Sequence, residues 1–251
     1  AQLGPYGIKA RNAVERLIGC LSNRHLDLQT VQITITALKS RSSALCAPLV
    51  SPFNIGQPSR SLKVENDQGF LMADFSLQLS TSISVSVANS VGTIRLTSPE
   101  RHNALSQADR LAIPKAEVKI TEAEAREIIL SGEGRSFCAG ADISEFDVVR
   151  KDPATARVYE TANSEAFRAV REAPIPVLAA VDGYCLGGGF GLAAASDLRL
   201  ATPRAVFGVP AARLGLAYPV DAMGDIVSAV GTQAAKRLLF SATRIQADEA
   251  K

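Results

Sequence analysis

Alternating hydrophobic and polar positions set the pattern of the chain after its first third. In 83–87 (ISVSV) and 91–96 (VGTIRL) apolar side chains occupy every second position, around the short polar segment 88–90. This spacing predicts a β-hairpin with a short turn. Three further segments follow in order: a polar loop over 97–106, a charged helix over 116–128 and a short buried strand over 128–132.

The second half repeats the order of strand, loop and helix. Apolar residues at helical spacing predict a helix over 155–173, which the prolines after it bring to an end. The apolar run 175–181 predicts a strand that leads into three consecutive glycines and an alanine-rich helix. Two more short strands are predicted at 198–202 and 205–209. The alternation predicts an α/β fold.

The beginning of the chain lacks this order. Residues 40–71 are rich in Ser and Pro and show neither period, which indicates a linker or an irregular arm. Within 12–22, apolar residues recur at helical spacing. The sequence therefore divides into a partly helical N-terminal arm, 1–71, and a core, 72–251.

Composition narrows the class of function. Of the 251 residues, 47% are hydrophobic and 21% charged, which is typical of a globular chain. The formal charge of +2 gives little support for a nucleic-acid or membrane partner. The scattered cysteines, Cys20, Cys46, Cys138 and Cys185, and only two histidines suggest neither a zinc site nor a disulfide framework. With no apolar run long enough to span a membrane, we expect a cytoplasmic protein.

Two glycine-containing loops carry the candidate chemistry. Residues 187–191 (GGGFG) match neither a phosphate-binding loop nor a dinucleotide-binding loop. Bare backbone N–H groups at a helix start suit a developing negative oxygen, whereas the alternative role of the glycines is close packing. Residues 137–142 (FCAGAD) follow a buried strand in the same way. One donor from each loop can form an oxyanion hole.

The chain resembles a known family along most of its core. Segments 128–146, 174–216 and 231–250, with the hairpin and 101–106, resemble the crotonase family of enoyl-CoA hydratases and isomerases. The resemblance implies an α/β spiral of ββα units, here with a helical appendage, assembled as homotrimers or hexamers. It also implies an acyl-CoA substrate, with coenzyme A as part of the substrate and no separate cofactor or metal.

The resemblance also assigns roles to individual residues. It implies that the backbone N–H groups of Ala141 and Gly188 are the two oxyanion donors. Arg101 and His102 would lie near the phosphates and adenine of coenzyme A, although His102 can equally be a solvated loop residue. Ala139 and Asp142, in the loop 137–142, complete the implied set of coenzyme-binding residues.

The sequence departs from the hydratases at their two glutamates. The corresponding positions are Gly191 and Ala211, so both carboxylates that manage water and protons are missing. Nearby polar residues, each of which can instead be a surface or supporting residue, are Asp221, Tyr218, Arg213 and Glu145. We assign Asp221 as the candidate catalytic carboxylate, because some relatives recruit one from the loop where it lies.

Three hypotheses remain open at this point. The protein is an enzyme of the family whose proton transfers use a relocated or substrate-borne group, or a non-catalytic acyl-CoA-binding or assembly protein, or an RNA-binding relative. Only the small positive charge favours the third. A further hypothesis is that helices within residues 1–40 substitute for trailing helices that family members place after the segment corresponding to 244–250.

Overall fold

The computed structural model describes residues 74–250 and the backbone of a strand at 32–34. The strands are β1 Gln32–Thr34, β2 Phe75–Gln78, β3 Ile83–Ala88, β4 Val91–Leu96, β5 Glu127–Gly132, β6 Val177–Val181, β7 Tyr184–Leu186, β8 Leu198–Ala201, β9 Val206–Gly208 and β10 Arg244–Gln246. The α-helices are α1 Gln107–Glu122, α2 Phe146–Val149, α3 Pro153–Arg171, α4 Gly188–Ala195, α5 Val220–Val230 and α6 Thr232–Ser241. Three short 3-10 helices occupy Pro99–Arg101, Ile143–Glu145 and Pro210–Leu214.

Two sheets organise the described residues. The larger has the strand order β1-β8-β6-β5-β4-β3-β2, and its central strands β4, β5, β6 and β8 run parallel. The smaller has the order β10-β9-β7, with β7 and β9 parallel. Strands therefore alternate with helices that cover them, and the predicted α/β class is confirmed.

The predicted hairpin forms as β3 and β4. Ile83 pairs with Leu96 and Ala88 with Val91, and the turn residues Asn89 and Ser90 adopt φ values of 52° and 63°. Helix α1 covers the hairpin closely, because an ideal Cβ on Gly92 would lie 2.2 Å from the Ile120 side chain.

The helix predicted over 116–128 is placed wrongly at both ends. Helix α1 begins at Gln107, because Ser106 and Asp109 form a capping box in which each side chain accepts from the other's backbone N–H. It ends at Glu122, before β5 takes up the chain at Glu127. The polar loop predicted over 97–106 consequently passes directly into a helix whose first turn is buried.

Other elements follow the sequence pattern closely. Helix α3 starts with Pro153 after a capping box on Asp152, and its buried residues include Tyr159, Ala162, Ala166 and Val170 at helical spacing. Strands β6, β8 and β9 lie within their predicted ranges.

The N-terminal arm can be described only in part. The strand at 32–34 pairs antiparallel with β8 at the edge of the larger sheet, and it is not among the predicted strands. The predictions of a helix within 12–22 and a linker over 40–71 lie outside the described residues, so the substitution hypothesis stays a prediction.

Candidate active site

The glycine turn between β7 and α4 presents one free backbone donor at its centre. Gly187 adopts a φ of 51°, and its N–H donates to Gly208 O at 2.9 Å. Gly188 is the first residue of α4, a position with no acceptor inside the helix, and no side chain caps this end. Among the described residues nothing accepts the Gly188 N–H.

The loop after β5 leaves a second donor free. Between 138 and 142 the backbone N–H groups are engaged in turn: Cys138 donates to Tyr184 O at 2.8 Å, Ala139 to His102 O at 2.9 Å, Gly140 to Cys138 Sγ at 3.4 Å and Asp142 to Leu105 O at 2.9 Å. Within the described part of the chain, the N–H of Ala141 has no such partner.

The two loops lie directly against each other. An ideal Cβ on Gly140 would lie 2.9 Å from Leu186 O and 3.5 Å from Gly188 N, and one on Gly189 would lie 2.4 Å from Cys138 O. Glycine at these two positions therefore serves the close packing of the loops. Gly188 differs, because the nearest atoms to its ideal Cβ are Arg110 Nη2 at 3.9 Å and Asn163 Oδ1 at 4.0 Å.

The predicted coenzyme-binding residues lie beside this pair of loops. Arg101 Nη1 donates to Asp142 Oδ2, so these two side chains form an ion pair rather than two independent contacts. A hydrogen bond from the Ser144 hydroxyl, together with the Arg101 charge, lowers the pKa of Asp142. His102 is exposed, with Nδ1 3.0 Å from Ser136 Oγ and its ring edge-on to Tyr184.

A buried guanidinium borders the site, and sequence reasoning missed it. Arg110 is only 2% exposed. Its Nη1 donates to Leu105 O, its Nε donates to Asn163 Oδ1 at 3.1 Å, and its Cζ lies 4.8 Å from the centroid of the Tyr159 ring. No sequence signal marks this residue, because the predicted helix begins at 116 and leaves Arg110 outside it.

Residues 86–251 match the model of the enoyl-CoA hydratase/isomerase family. The chain belongs to this family. A relative named "Probable enoyl-CoA hydratase echA6" from Mycobacterium tuberculosis is 36% identical over 166 residues, covering 66% of this chain and 65% of its own length. The mitochondrial Delta(3,5)-Delta(2,4)-dienoyl-CoA isomerase of Mus musculus is 30% identical over 168 residues, covering 62% and 51%. The chain thus spans less than two thirds of these relatives.

Solved structures of the enoyl-CoA hydratase/isomerase family share the fold. A family protein from Hyphomonas neptunium has a TM-score of 0.67 at 36% identity, covering 69% of this chain and 67% of that one. An enoyl-CoA hydratase/carnithine racemase from Magnetospirillum magneticum has a TM-score of 0.66 at 32% identity, covering 70% and 66%. The crotonase-like fold is therefore shown.

The space at Gly191, where the resemblance expects a hydratase glutamate, is filled by neighbouring side chains. An ideal Cβ there would lie 2.7 Å from the Phe167 ring and 2.8 Å from the Tyr218 hydroxyl. The Tyr218 hydroxyl donates to Gly187 O at 2.9 Å, and burial raises the Tyr218 pKa strongly, so this group stays protonated. A glutamate at residue 191 fits only if both aromatic side chains move.

Two carboxylates lie on α5, the helix that follows Tyr218. Asp221 lies in the first turn of α5, half-buried and close enough to Tyr218 to contribute to its raised pKa. One turn later Asp225 is buried, accepts from Arg171 Nη1 at 2.8 Å, and has its pKa raised by burial. Asp221 is predicted in a loop but lies on this helix, and its catalytic role stays a prediction. Asp225 is not among the predicted candidates, since its burial depends on the packing of α3 against α5. The candidate Arg213 is exposed in a 3-10 helix.

Within residues 74–250 and the strand at 32–34, no helix has both the length and the apolar character needed to cross a membrane. No three His, Cys, Asp or Glu side chains of these ranges come together as ligands for a metal ion.

Proposed function

We propose that this protein binds an acyl-CoA thioester and stabilises the negative charge that develops on the thioester oxygen. The N–H groups of Ala141 and Gly188 are the donors. The observation that carries the proposal is that each is left without an acceptor on one of two loops that lie in contact. In other enzymes, loss of one such donor costs about 3–4 kcal/mol of transition-state stabilisation.

The chemistry we propose is enolate or oxyanion formation with a proton-transfer group that is relocated or carried by the substrate. Gly191 and Ala211 offer no carboxylate, and Asp221 is the residue of this chain that we assign to acid–base work. Coenzyme A enters as part of the substrate, without a separate cofactor. The family membership supports a cytoplasmic homotrimer or hexamer.

A second candidate function is acyl-CoA binding without turnover. It is favoured by the filled space at Gly191, where Phe167 and Tyr218 occupy the volume a hydratase glutamate would need. Because water addition needs positioned proton donors and acceptors, a protein with an intact oxyanion hole and no such groups binds without reacting.

Binding and turnover are tested together with a panel of acyl-CoA thioesters. We expect thioesters to raise the melting temperature more than matched CoA thioethers, which lack the carbonyl oxygen. Turnover of any member supports the enzyme, whereas stabilisation without turnover supports the binding protein. Equal effects of thioester, thioether and free coenzyme A would remove the oxyanion role.

Gly188→Pro sharpens the test, because proline at the first position of a helix is tolerated and removes the N–H donor. Its ring adds carbon atoms that affect thioester and thioether alike, so the ratio of the two affinities reports the lost hydrogen bond. In this variant we expect the ratio of thioester affinity to thioether affinity to fall by about fivefold, the contribution of one hydrogen bond. Thr232→Pro is the matched control, since it makes the same change at the first residue of α6. A folded Gly188→Pro variant with an unchanged preference would exclude Gly188 as a donor.

A further inference from the structure

Arg110 occupies a position in which its charge does not stabilise its helix. The residue extends from the first turn of α1, where the positive end of the helix dipole opposes a cation, and it is almost fully buried. A buried charge is costly unless it is paired and hydrogen-bonded. The contacts of Arg110 should therefore show which groups offset the cost of burying its charge.

Groups of the protein offset the buried positive charge of Arg110 only in part. Its hydrogen bonds go to two neutral acceptors, Leu105 O and Asn163 Oδ1. The nearest carboxylate, Glu145, lies 4.0 Å from Nη1 and accepts the backbone N–H of Gln107 at 2.7 Å. Among the described residues, no carboxylate accepts a hydrogen bond directly from Arg110.

The adjacent acidic residue is engaged elsewhere. Asp109 accepts from the hydroxyl groups of Ser80 at 2.6 Å and Ser106 at 2.7 Å, as part of the cap of α1. Arg150, the other guanidinium near the Tyr159 ring, is paired with Glu160. Arg110 is thus the cation of this cluster that lacks a directly bonded counter-charge.

The remaining donor of Arg110 faces the proposed oxyanion hole. Within the described residues Nη2 donates to no acceptor, and it is the nearest atom to the ideal Cβ of Gly188, at 3.9 Å. Asn163, which accepts from Nε, is the next nearest at 4.0 Å. A polar group a few bonds from the thioester carbonyl would reach Nη2.

A second buried polar group beside Arg110 also lacks a partner. Tyr159 is 1% exposed, and its hydroxyl makes no hydrogen bond among the described residues. Its ring lies under the Arg110 guanidinium. The Arg150 guanidinium also lies over the Tyr159 ring, and its Nε is a further buried donor without a partner among the described residues. Buried polar groups in native proteins are nearly always satisfied, so unused donors in this cluster, with Nη2 of Arg110 closest to Gly188, indicate a polar ligand.

We propose that Arg110 binds a carboxylate carried by the acyl group of the substrate, so that the preferred ligands are CoA monothioesters of short dicarboxylic acids. This inference rests on the proposed acyl-CoA function. The planar guanidinium fork matches a carboxylate in geometry and charge, and the bond from Nε to Asn163 holds the fork in orientation. The bound carboxylate supplies the directly bonded counter-charge that Arg110 lacks among the described residues.

The test compares thioesters that differ only in charge. Malonyl-CoA and glutaryl-CoA are each measured by calorimetric titration against the neutral monoamide of the same chain, with free coenzyme A as the reference. We expect the better-fitting carboxylate to bind about ten- to a hundredfold more tightly than its amide, the range of a hydrogen bond to a charged group.

Variants then test whether Arg110 causes the preference for the carboxylate over the amide. Arg110→Met keeps an unbranched side chain about as long as the aliphatic part of arginine and removes the guanidinium, so it is expected to bring the carboxylate-to-amide ratio close to one while the amide still binds. Arg110→Lys keeps the charge without the fork and should retain part of the ratio. Arg171→Met is the control, because Arg171 bonds Asp225 rather than the loops, and should leave the ratio unchanged.

The outcomes separate the two proposals. Equal affinity for carboxylate and amide in the wild-type protein overturns the inference alone, as does a ratio that survives Arg110→Met. If none of the four thioesters binds more tightly than free coenzyme A, the acyl-CoA function fails and the inference with it. Should Arg110→Met not fold, the wild-type ratio and Arg110→Lys decide the question.

Discussion

Gly140 is the residue at which the contact between the two loops can be tested directly. Its φ is 107°, and an ideal Cβ would lie 2.9 Å from Leu186 O, so Gly140→Ala is strained in backbone and in space. We expect the substitution to lower the free energy of unfolding by about 1–3 kcal/mol in urea denaturation.

Gly224 provides the opposite case. It lies inside α5, with no heavy atom within 4 Å of its ideal Cβ. Gly224→Ala should therefore leave stability unchanged or raise it by up to about 1 kcal/mol, since alanine favours the helix. A Gly140→Ala protein as stable as the Gly224→Ala protein would show that the loops do not meet as described.

Hydratase activity is a further test at the residue scale. With Gly191 and Ala211 at the glutamate positions, we expect very slow hydration of crotonyl-CoA, followed as loss of enoyl-thioester absorbance. Each missing acid–base group is typically worth about 10²–10⁴-fold in rate. Asp221→Asn should abolish any residual rate. Robust hydration that is indifferent to Asp221→Asn would place the acid–base residues elsewhere.

Some residues of the candidate site can be predicted from the sequence, and others cannot. Small residues around 141 and 188 mark loops with bare backbone, and the family resemblance implies the role that we propose for them. Arg110 is missed because its meaning depends on burial against α3, a contact between elements distant in sequence. Gly191 shows the same limit, since the sequence places a glycine where the resemblance expects a glutamate, while only packing reveals that Phe167 and Tyr218 fill the space.

At the scale of elements, the Arg101–Asp142 pair joins the loop before α1 to the loop after β5. The folded pKa of Asp142 is lowered, so its carboxylate contributes stability above its unfolded pKa of about 3.9 and loses it as pH falls through the lower folded value. We expect Asp142→Asn to be less stable than wild type at pH 7, and the difference to narrow below about pH 4.

The control for this pH dependence is Asp147→Asn, which changes an exposed carboxylate on α2. It should alter the midpoint of urea unfolding little at either pH. A difference between wild type and Asp142→Asn that persists unchanged into acid would show that the charge of Asp142 does not join the loops.

Helix boundaries show why some elements follow from pattern and others do not. Helix α3 combines a proline at its first position, a capping box and a clear apolar face, and its prediction is close to the structure. Helix α1 carries Pro114 in its interior and a buried, charged first turn, both of which obscure the apolar pattern. Its start depends on the Ser106 cap, which a search for apolar periodicity does not detect.

At the scale of the whole molecule, large apolar side chains remain exposed on neighbouring helices. Val220 at the start of α5 is 80% exposed and Phe240 near the end of α6 is 77% exposed. Contiguous exposed apolar surface marks association sites, so we propose that these two residues belong to one self-association surface. The sequence alone gives no such surface, because exposure is a property of the assembled helices.

The proposed homotrimer or hexamer predicts a solution mass of three or six times 26.5 kDa by light scattering. Val220→Lys combined with Phe240→Lys should lower the mass, because charged residues are disfavoured in the core of an interface. Val118→Lys, which changes a 48% exposed residue on α1, is the matched control and should not. A wild-type protein that stays at the monomer mass over a wide concentration range would refute the assembly. A double variant that still forms the full oligomer would instead move the interface away from α5 and α6, leaving their exposed side chains without this role.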